Sequence, residues 1–249
     1  MGLVLHRFPL SHFSEKARAA LDFKGLDYRV VDHAPGPDQL ALYRISGQRK
    51  VPVLEHDEQV IHDSTAIALH LERAWPAGDG RRALLPADIT KRRAVLDLEA
   101  RLDAVLGAYV PTVVVERSLH DRALFEALAR HGLNLRGLTF QATRVAGLAA
   151  RVAMRLPTSR RPFEEARAAV VHLLTELSDR LSRTAFLLGD EPGLADVAAA
   201  GLTLLLKFPQ SRHLASPALA GLGDPTLYDA PALRRFFTWR EAFYREFLR

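Results

Sequence analysis

Apolar and polar positions alternate between strand-like and helix-like spacing over the first seventy-five residues of the chain. Short apolar runs that stop at turn residues predict buried strands, and apolar residues three or four apart predict helices. The predicted strands are Leu3–Phe8, Tyr28–Val31, Val51–Leu54 and Gln59–Ile61, the last two forming a hairpin. The predicted helices are Ser11–Lys24, Asp38–Ile45 and one that begins at Asp63-Ser64-Thr65. This order predicts a mixed sheet with helices on its faces.

A different pattern follows in the rest of the chain. Proline, glycine and the pair Arg81-Arg82 predict an exposed linker over residues 77–88. Beyond it, apolar residues recur at helical spacing and almost no strand pattern remains. The predicted helices are Ile89–Leu106, Ala123–Ala129, Phe163–Leu181, Leu194–Leu206 and an aromatic C-terminal helix around Phe236–Phe247. The sequence therefore predicts an α/β domain over residues 1–76 and an all-α bundle over residues 89–249.

The composition is that of an ordinary globular chain, since 48% of the 249 residues are apolar and 25% are charged. The 34 Lys and Arg against 29 Asp and Glu give a net charge of +5, a mild excess that does not indicate nucleic-acid binding. The absence of cysteine excludes disulfides, Cys-ligated zinc and a protein thiol nucleophile. Apart from His6 and His12, which lie across a strand-to-helix turn, no two histidines have metal-ligand spacing, so we expect no metal. Without a signal peptide or membrane span, we expect a cytoplasmic protein with no stable membrane association.

The first candidate site is the turn between the opening strand and the first helix, which carries Ser11 and Ser14. A helix N-terminus presents unpaired N–H groups and the positive end of the helix dipole, and both favour a bound anion. A hydroxyl on this turn can donate a hydrogen bond to that anion. Ser11 or Ser14 can equally be a plain N-cap, the commoner role of serine at such a position.

Two further stretches carry candidate chemistry. Pro52 at the start of a strand is ordinary, because its missing N–H does no harm there; alternatively, a cis Val51–Pro52 bond leaves the Val51 backbone available to a bound peptide. Asp63 and Ser64 either cap the third helix or hold an amino-acid end. In that second case the carboxylate of the bound amino-acid end accepts from the Ser64 hydroxyl and the amides of the first helical turn, and its ammonium binds Asp63.

The order of these stretches resembles the glutathione S-transferase superfamily. The stretches are SHFSEKAR, KVPVL, HDST, LPAD and, in the second half, FLLGDEPGLADVAAA. The resemblance implies a thioredoxin-like N-terminal domain followed by an all-helical C-terminal domain, in a cytosolic homodimer. It also implies a glutathione transferase activity, with glutathione as co-substrate and a small hydrophobic electrophile as the second substrate.

The resemblance implies a role for each glutathione-binding candidate. Val51 would pair with the cysteinyl backbone of glutathione, and a cis Pro52 would hold that loop. Asp63 and Ser64 would bind the γ-glutamyl end. Lys50 would meet the glycine carboxylate, although the loop before it departs from the common pattern.

The resemblance also bears on the reaction. Ser11 matches the position beside the glutathione sulfur, and Ser14 matches the second cysteine of redox-type relatives. Because both are serine here, thiol–disulfide exchange by this protein is excluded. Activation of the glutathione thiol remains: lowering its pKa by about two units needs roughly 2.7 kcal/mol. The interactions of a serine hydroxyl and a helix N-terminus with the thiolate are strong enough to supply much of this free energy. Leu106 and Tyr109 are candidates for the electrophile pocket.

Two positions depart from the family pattern, and two other functions stay open. His12 occupies a place that is often proline, and Gly193 replaces the usual Ser or Thr at a helix start, which leaves Asp196 to cap that helix. One alternative is a glutathione- or ligand-binding protein of the same fold with little turnover. The other is an interaction module whose basic stretch, Arg136–Arg167, meets an acidic partner or membrane surface.

Overall fold

The first part of the chain folds around a four-stranded mixed sheet. The computed structural model describes residues 2–34, 38–132 and 157–248. The elements of this part are β1 (Leu3–Arg7), α1 (His12–Phe23), β2 (Tyr28–Asp32), α2 (Asp38–Ser46), β3 (Val53–His56), β4 (Gln59–His62) and α3 (Ser64–Ala74). The strands lie in the order β2-β1-β3-β4, with β1 parallel to β2 and antiparallel to β3. The predicted mixed sheet is therefore confirmed.

Local sequence explains these elements. Leu5 of β1 lies opposite Val30 and Leu54, and its complete burial fits the apolar run around it. Gly25 ends the first helix in the left-handed conformation, at φ +67°, as predicted for a glycine C-cap. The β3–β4 hairpin turns without glycine because Asp57 takes up φ +55°, a conformation that aspartate tolerates.

The second part of the described chain is helical. Its helices are α4 (Ile89–Leu102), α5 (Ala108–His120), α6 (Arg122–Gly132), α7 (Pro157–Leu181), α8 (Leu194–Leu202), α9 (Pro225–Tyr228) and α10 (Arg234–Phe247). A π-helical segment, Asp103–Gly107, joins α4 to α5, and short 3₁₀ turns cover Leu204–Leu206 and Pro217–Leu219. The predicted fold class, a thioredoxin-like α/β part followed by an all-helical part, is confirmed. Among the described residues, no helix is both long and apolar enough to cross a membrane.

Helix α1 joins the two parts by packing on α3 and α8. The contact with α8 is close at Gly201, where a Cβ atom would lie 2.7 Å from the Cα of Lys16. Real Cβ atoms do not approach backbone so closely, so glycine is what allows the two helices to meet there. The N-terminus of α1 is thereby held against the helical part.

The region after α3 differs from the sequence-based expectation in two ways. The linker is not exposed throughout, because Leu84 and Leu85 are buried, and the Leu84 carbonyl accepts the Leu194 N–H at 2.7 Å. Helix α5 was not predicted, since Pro111 and three consecutive valines resemble a strand more than a helix. Burial of Val110, Val113 and Val114 on one face stabilises it as a helix.

Two helices near the end of the described chain are held by a cap and by aromatic packing. The α8 N-terminus is capped from within, because Asp196 accepts the N–H groups of Gly193 and Leu187 at 3.0 and 2.9 Å. Phe236, Phe237 and Phe243 are buried, so the aromatic C-terminal helix packs on the bundle. Most of the basic stretch 136–167 lies outside the described residues.

Candidate functional site

The N-terminus of α1 presents one reachable serine. Ser11 is the half-buried N-cap, and its Oγ accepts the N–H of Ser14 at 3.2 Å. Ser14 is 1% exposed, and its Oγ accepts the Phe8 N–H at 3.3 Å. Of the two predicted serines, Ser11 therefore lies where a ligand can reach it, and Ser14 ties the preceding turn to the helix.

The corner before β3 has the second of the two geometries that the sequence left open. The Val51–Pro52 peptide bond is cis, and Pro52 is buried while Val51 is half-buried. The β3 ladder starts at Val53, so the Val51 backbone takes no part in it. Lys50 is exposed beside this corner.

The start of α3 combines a strained cap with an unpartnered hydroxyl. Asp63 is the N-cap at φ +77°, and its Oδ1 accepts the N–H groups of Thr65 and Ala66 at 2.9 and 3.0 Å. Ser64, the first residue of the helix, is 1% exposed, and its Oγ has no hydrogen-bond partner among the described residues. Buried hydroxyls are normally paired. This one lies at a helix N-terminus, where an anion is favoured.

Sheet pairing brings these three stretches together. His6, near the end of β1, lies opposite Val53 at the start of β3, and Val53 lies opposite His62 at the end of β4. The turn to Ser11 follows β1, the Val-Pro corner precedes β3, and Asp63 follows β4. All three therefore meet at one edge of the sheet. They form a cradle, defined here by Ser11, Val51, Pro52, Asp63 and Ser64.

A buried cluster of charges lies next to this cradle. The completely buried Lys16 ammonium pairs with Glu99 and Asp103 of the helical part, the latter at 2.7 Å, and donates to Thr65 Oγ1 at 2.9 Å. Burial raises the pKa of Asp103, and the Lys16 charge opposes that rise. Sequence reasoning missed this cluster. A lysine three residues after Phe13, on the buried stripe of α1, was the available signal.

The two predicted pocket residues of the helical part differ in accessibility. Leu106, in the π-helical segment, is completely buried in the core, so a second substrate cannot reach its side chain. Tyr109, in the first turn of α5, is 40% exposed. Tyr109 is therefore the one that can contact a ligand.

A separate cavity lies away from the cradle. It encloses about 460 Å³ at the C-terminal end of α1, and Asp22, Tyr28, Arg82 and His213 are among its lining residues. Its lining includes none of the predicted site residues. Across the described ranges, no group of three or more His, Asp or Glu side chains is placed to hold a metal ion.

Sequence comparison links both parts of the chain to one family. The model of the glutathione S-transferase N-terminal domain matches residues 5–78, and the model of its C-terminal domain matches residues 160–245. Glutathione S-transferase 1 of Dianthus caryophyllus is 40% identical over 94 residues, which are 35% of this chain and 39% of that protein. The matched regions span 39% to 52% of the curated relatives' lengths.

Solved structures with the same architecture cover nearly the whole chain. A glutathione S-transferase from Rhodospirillum rubrum F11 matches with a TM-score of 0.64 and 23% identity, over 97% of this chain and 87% of that one. The beta-etherase LigF from Sphingobium sp. strain SYK-6 matches with a TM-score of 0.61 and 23% identity, over 96% and 99%. At this identity the likeness is one of fold. Because the two domain models match in their usual order and together span well over half of the residues, the chain belongs to the glutathione S-transferase superfamily.

Proposed function

We propose that the cradle binds glutathione and activates its thiol for attack on a small hydrophobic electrophile. The observation that carries the proposal is Ser64, a buried hydroxyl with no partner among the described residues, at the N-terminus of α3. A γ-glutamyl carboxylate bound there would satisfy this hydroxyl and would accept N–H groups of the first helical turn. The ammonium of the same γ-glutamyl group would bind the exposed carboxylate of Asp63.

The middle and the glycine end of glutathione have corresponding partners. The Val51 backbone, which the β3 ladder leaves unused, would pair with the cysteinyl backbone of glutathione in the manner of an added strand. The exposed ammonium of Lys50 would meet the glycine carboxylate. This orientation places the thiol toward the N-terminus of α1.

Ser11 is then the group that stabilises the thiolate. Its hydroxyl is half-buried at the helix N-terminus and would donate to the sulfur, while the helix dipole favours the anion. Lowering the thiol pKa by about two units requires roughly 2.7 kcal/mol, close to the value of a hydrogen bond to a charged group together with a helix terminus. Ser14 supports the turn through Phe8 and has no contact with the sulfur in this arrangement.

The second substrate would lie between the cradle and the helical part. Tyr109 is the exposed candidate there, whereas the buried Leu106 shapes the wall from behind. The family binds glutathione together with electrophilic substrates and is usually dimeric, and we extend both properties to this chain. The alternative is a glutathione-binding protein of the same fold with little turnover, and an activity assay distinguishes it from an active transferase.

Replacing Ser11 with alanine should lower kcat with an activated aryl halide by about 10- to 150-fold, because a hydrogen bond to a charged group contributes about 1.5–3 kcal/mol. Glutathione affinity, measured by calorimetry, should change little, since most contacts of the tripeptide lie elsewhere. Steady-state kinetics of the purified variant is the measurement.

Two variants control for the helix cap that Ser11 also provides. Ser11→Thr retains both hydroxyl and cap and should keep most of the activity. Ser14→Ala removes a hydroxyl one turn away and should alter stability more than kcat. Unchanged turnover in Ser11→Ala would assign thiol activation to the backbone amides. Absence of turnover in the wild-type protein, with glutathione bound, would leave the binding-protein alternative.

A further inference from the structure

His12 makes a contact between the two parts of the chain at the cradle. It is the first residue of α1 and directly follows Ser11, and the residue as a whole is 7% exposed. Its Nε2 lies 3.0 Å from the carbonyl oxygen of Gly107, in the π-helical segment of the helical part. This hydrogen bond therefore connects the residue next to Ser11 with the helical part of the chain.

Pro111 cannot give the carbonyl of Gly107 its α-helical hydrogen bond. In an α-helix the N–H of residue 111 would donate to the carbonyl of residue 107, and proline has no N–H. The π-helical segment from Asp103 to Gly107 marks the same irregularity. The imidazole of His12 supplies a donor that the helix lacks.

Gly107 leaves room for the ring of Phe13, the residue that follows His12. A Cβ atom at residue 107 would lie 2.5 Å from Cζ of Phe13, so a larger residue would displace that ring. The rings of Phe13 and His12 are tilted against each other, with centroids 4.6 Å apart. The contact thus joins a donor at residue 12 to a carbonyl that has no α-helical donor at residue 111, and the absent Cβ at residue 107 leaves room for the neighbouring Phe13 ring.

The same contact fixes the tautomer of His12. Because the carbonyl is an acceptor, Nε2 carries the hydrogen. Burial lowers the pKa of His12, and the hydrogen bond to Gly107 opposes that change, so the ring is neutral at physiological pH. No hydrogen bond to Nδ1 is formed by the described residues. A neutral ring adds no charge beside the thiol site, and its role there is one of position.

We propose that His12 is a positioning residue for thiol activation, which holds the Ser11 turn in register with the helical part through Gly107. The proposal rests on the proposed function, because its effect is exerted through the Ser11 hydroxyl. With the hydrogen bond in place, the hydroxyl stays aligned with the sulfur. Without it, the first turn of α1 shifts against the helical part and the thiolate loses part of its stabilisation.

The test measures the pKa of glutathione's thiol in the complex, from the ultraviolet absorbance of the bound thiolate across a pH series, together with kcat and affinity. His12→Ala should raise that pKa and lower kcat about tenfold or more, since small misplacements of catalytic groups have effects of this size. Glutathione affinity, measured at a pH low enough to keep the bound thiol protonated, should stay within about twofold, because the groups that hold the two ends of the tripeptide do not include His12. A merely structural role would not shift the thiol pKa at constant affinity.

Two further variants make the outcome decisive. His12→Gln places an amide N–H where Nε2–H lies and should recover most of the lost activity. Pro111→Ala leaves His12 and Ser11 intact but supplies a competing N–H to the Gly107 carbonyl, so it should shift the thiol pKa in the same direction. A wild-type-like thiol pKa in both His12→Ala and Pro111→Ala would overturn the proposal, as would a His12→Gln variant no better than alanine. Failure of the wild-type protein to bind glutathione would instead overturn the proposed function.

Discussion

Replacing Lys16 with methionine should lower the free energy of unfolding by about 3–5 kcal/mol, the usual result of leaving a buried charge without its partner. The Lys16 ammonium is completely buried between Glu99 and Asp103, and it is the cation that pairs them across the two parts of the chain. Methionine retains most of the length of the side chain and removes its charge. Urea unfolding followed by circular dichroism measures the change.

An exposed ion pair provides the matched control. Arg93 and Asp97 form a salt bridge on the surface of α4, with side chains 76% and 62% exposed. Arg93→Met should therefore cost about 0.5 kcal/mol or less. A loss of less than about 1 kcal/mol in the free energy of unfolding of Lys16→Met would contradict the claim that the buried cluster stabilises the contact between the two parts of the chain.

The Lys16→Met defect should also depend on pH. Burial already raises the pKa of Asp103, and removal of the Lys16 charge, which opposes the rise, would raise it further. Between the unfolded and the raised folded pKa, the folded state binds more protons than the unfolded state. Stability of the variant should therefore increase as the pH is lowered through that window. Adding Glu99→Gln to Lys16→Met, which removes one unpaired carboxylate, should recover part of the loss at neutral pH.

Replacing Asp63 with asparagine should weaken glutathione binding by about 1.5–3 kcal/mol, or about 10- to 150-fold, the value of a hydrogen bond between charged groups. Asparagine retains the oxygen that accepts the Thr65 and Ala66 N–H groups, and it tolerates the positive φ of this position. What it removes is the charge that would bind the γ-glutamyl ammonium. Calorimetric titration with glutathione measures the effect.

Comparison with Asp63→Ala separates binding from folding. Alanine loses the cap as well, at about 0.5–2 kcal/mol of stability, and is strained at φ +77°. The asparagine variant should unfold like the wild-type protein and still bind glutathione poorly. Equal affinity in Asp63→Asn would remove the γ-glutamyl assignment from this end of the cradle.

Local signals in the sequence predicted the elements that build the cradle. Glycine after the first helix, acceptor side chains before the third, and apolar runs between turns act over a few residues, so they are visible without the fold. The cis Val51–Pro52 bond was one of two open interpretations, and the structure decided between them. The meeting of the three stretches follows from strand pairing rather than from any one motif.

Features that depend on distant partners were not visible in this way. The carboxylate partners of Lys16 lie in α4 and in the π-helical segment after it, eighty-three and eighty-seven residues further along the chain, and no local pattern indicates such a pair. Leu106 was expected in a pocket, yet its position on the buried face of the helix places it in the core. Helix α5 was missed because burial of its valines outweighs their intrinsic preference for strands.

Calorimetric titration of the wild-type chain with glutathione tests the central claim, that the edge of the sheet between α1 and α3 binds this tripeptide. We expect one saturable site per chain, with binding strongly reduced in Asp63→Asn and nearly unchanged in Ser11→Ala. Absence of any binding heat at several temperatures, from protein that unfolds cooperatively, would contradict the claim and leave the family membership and the fold in place.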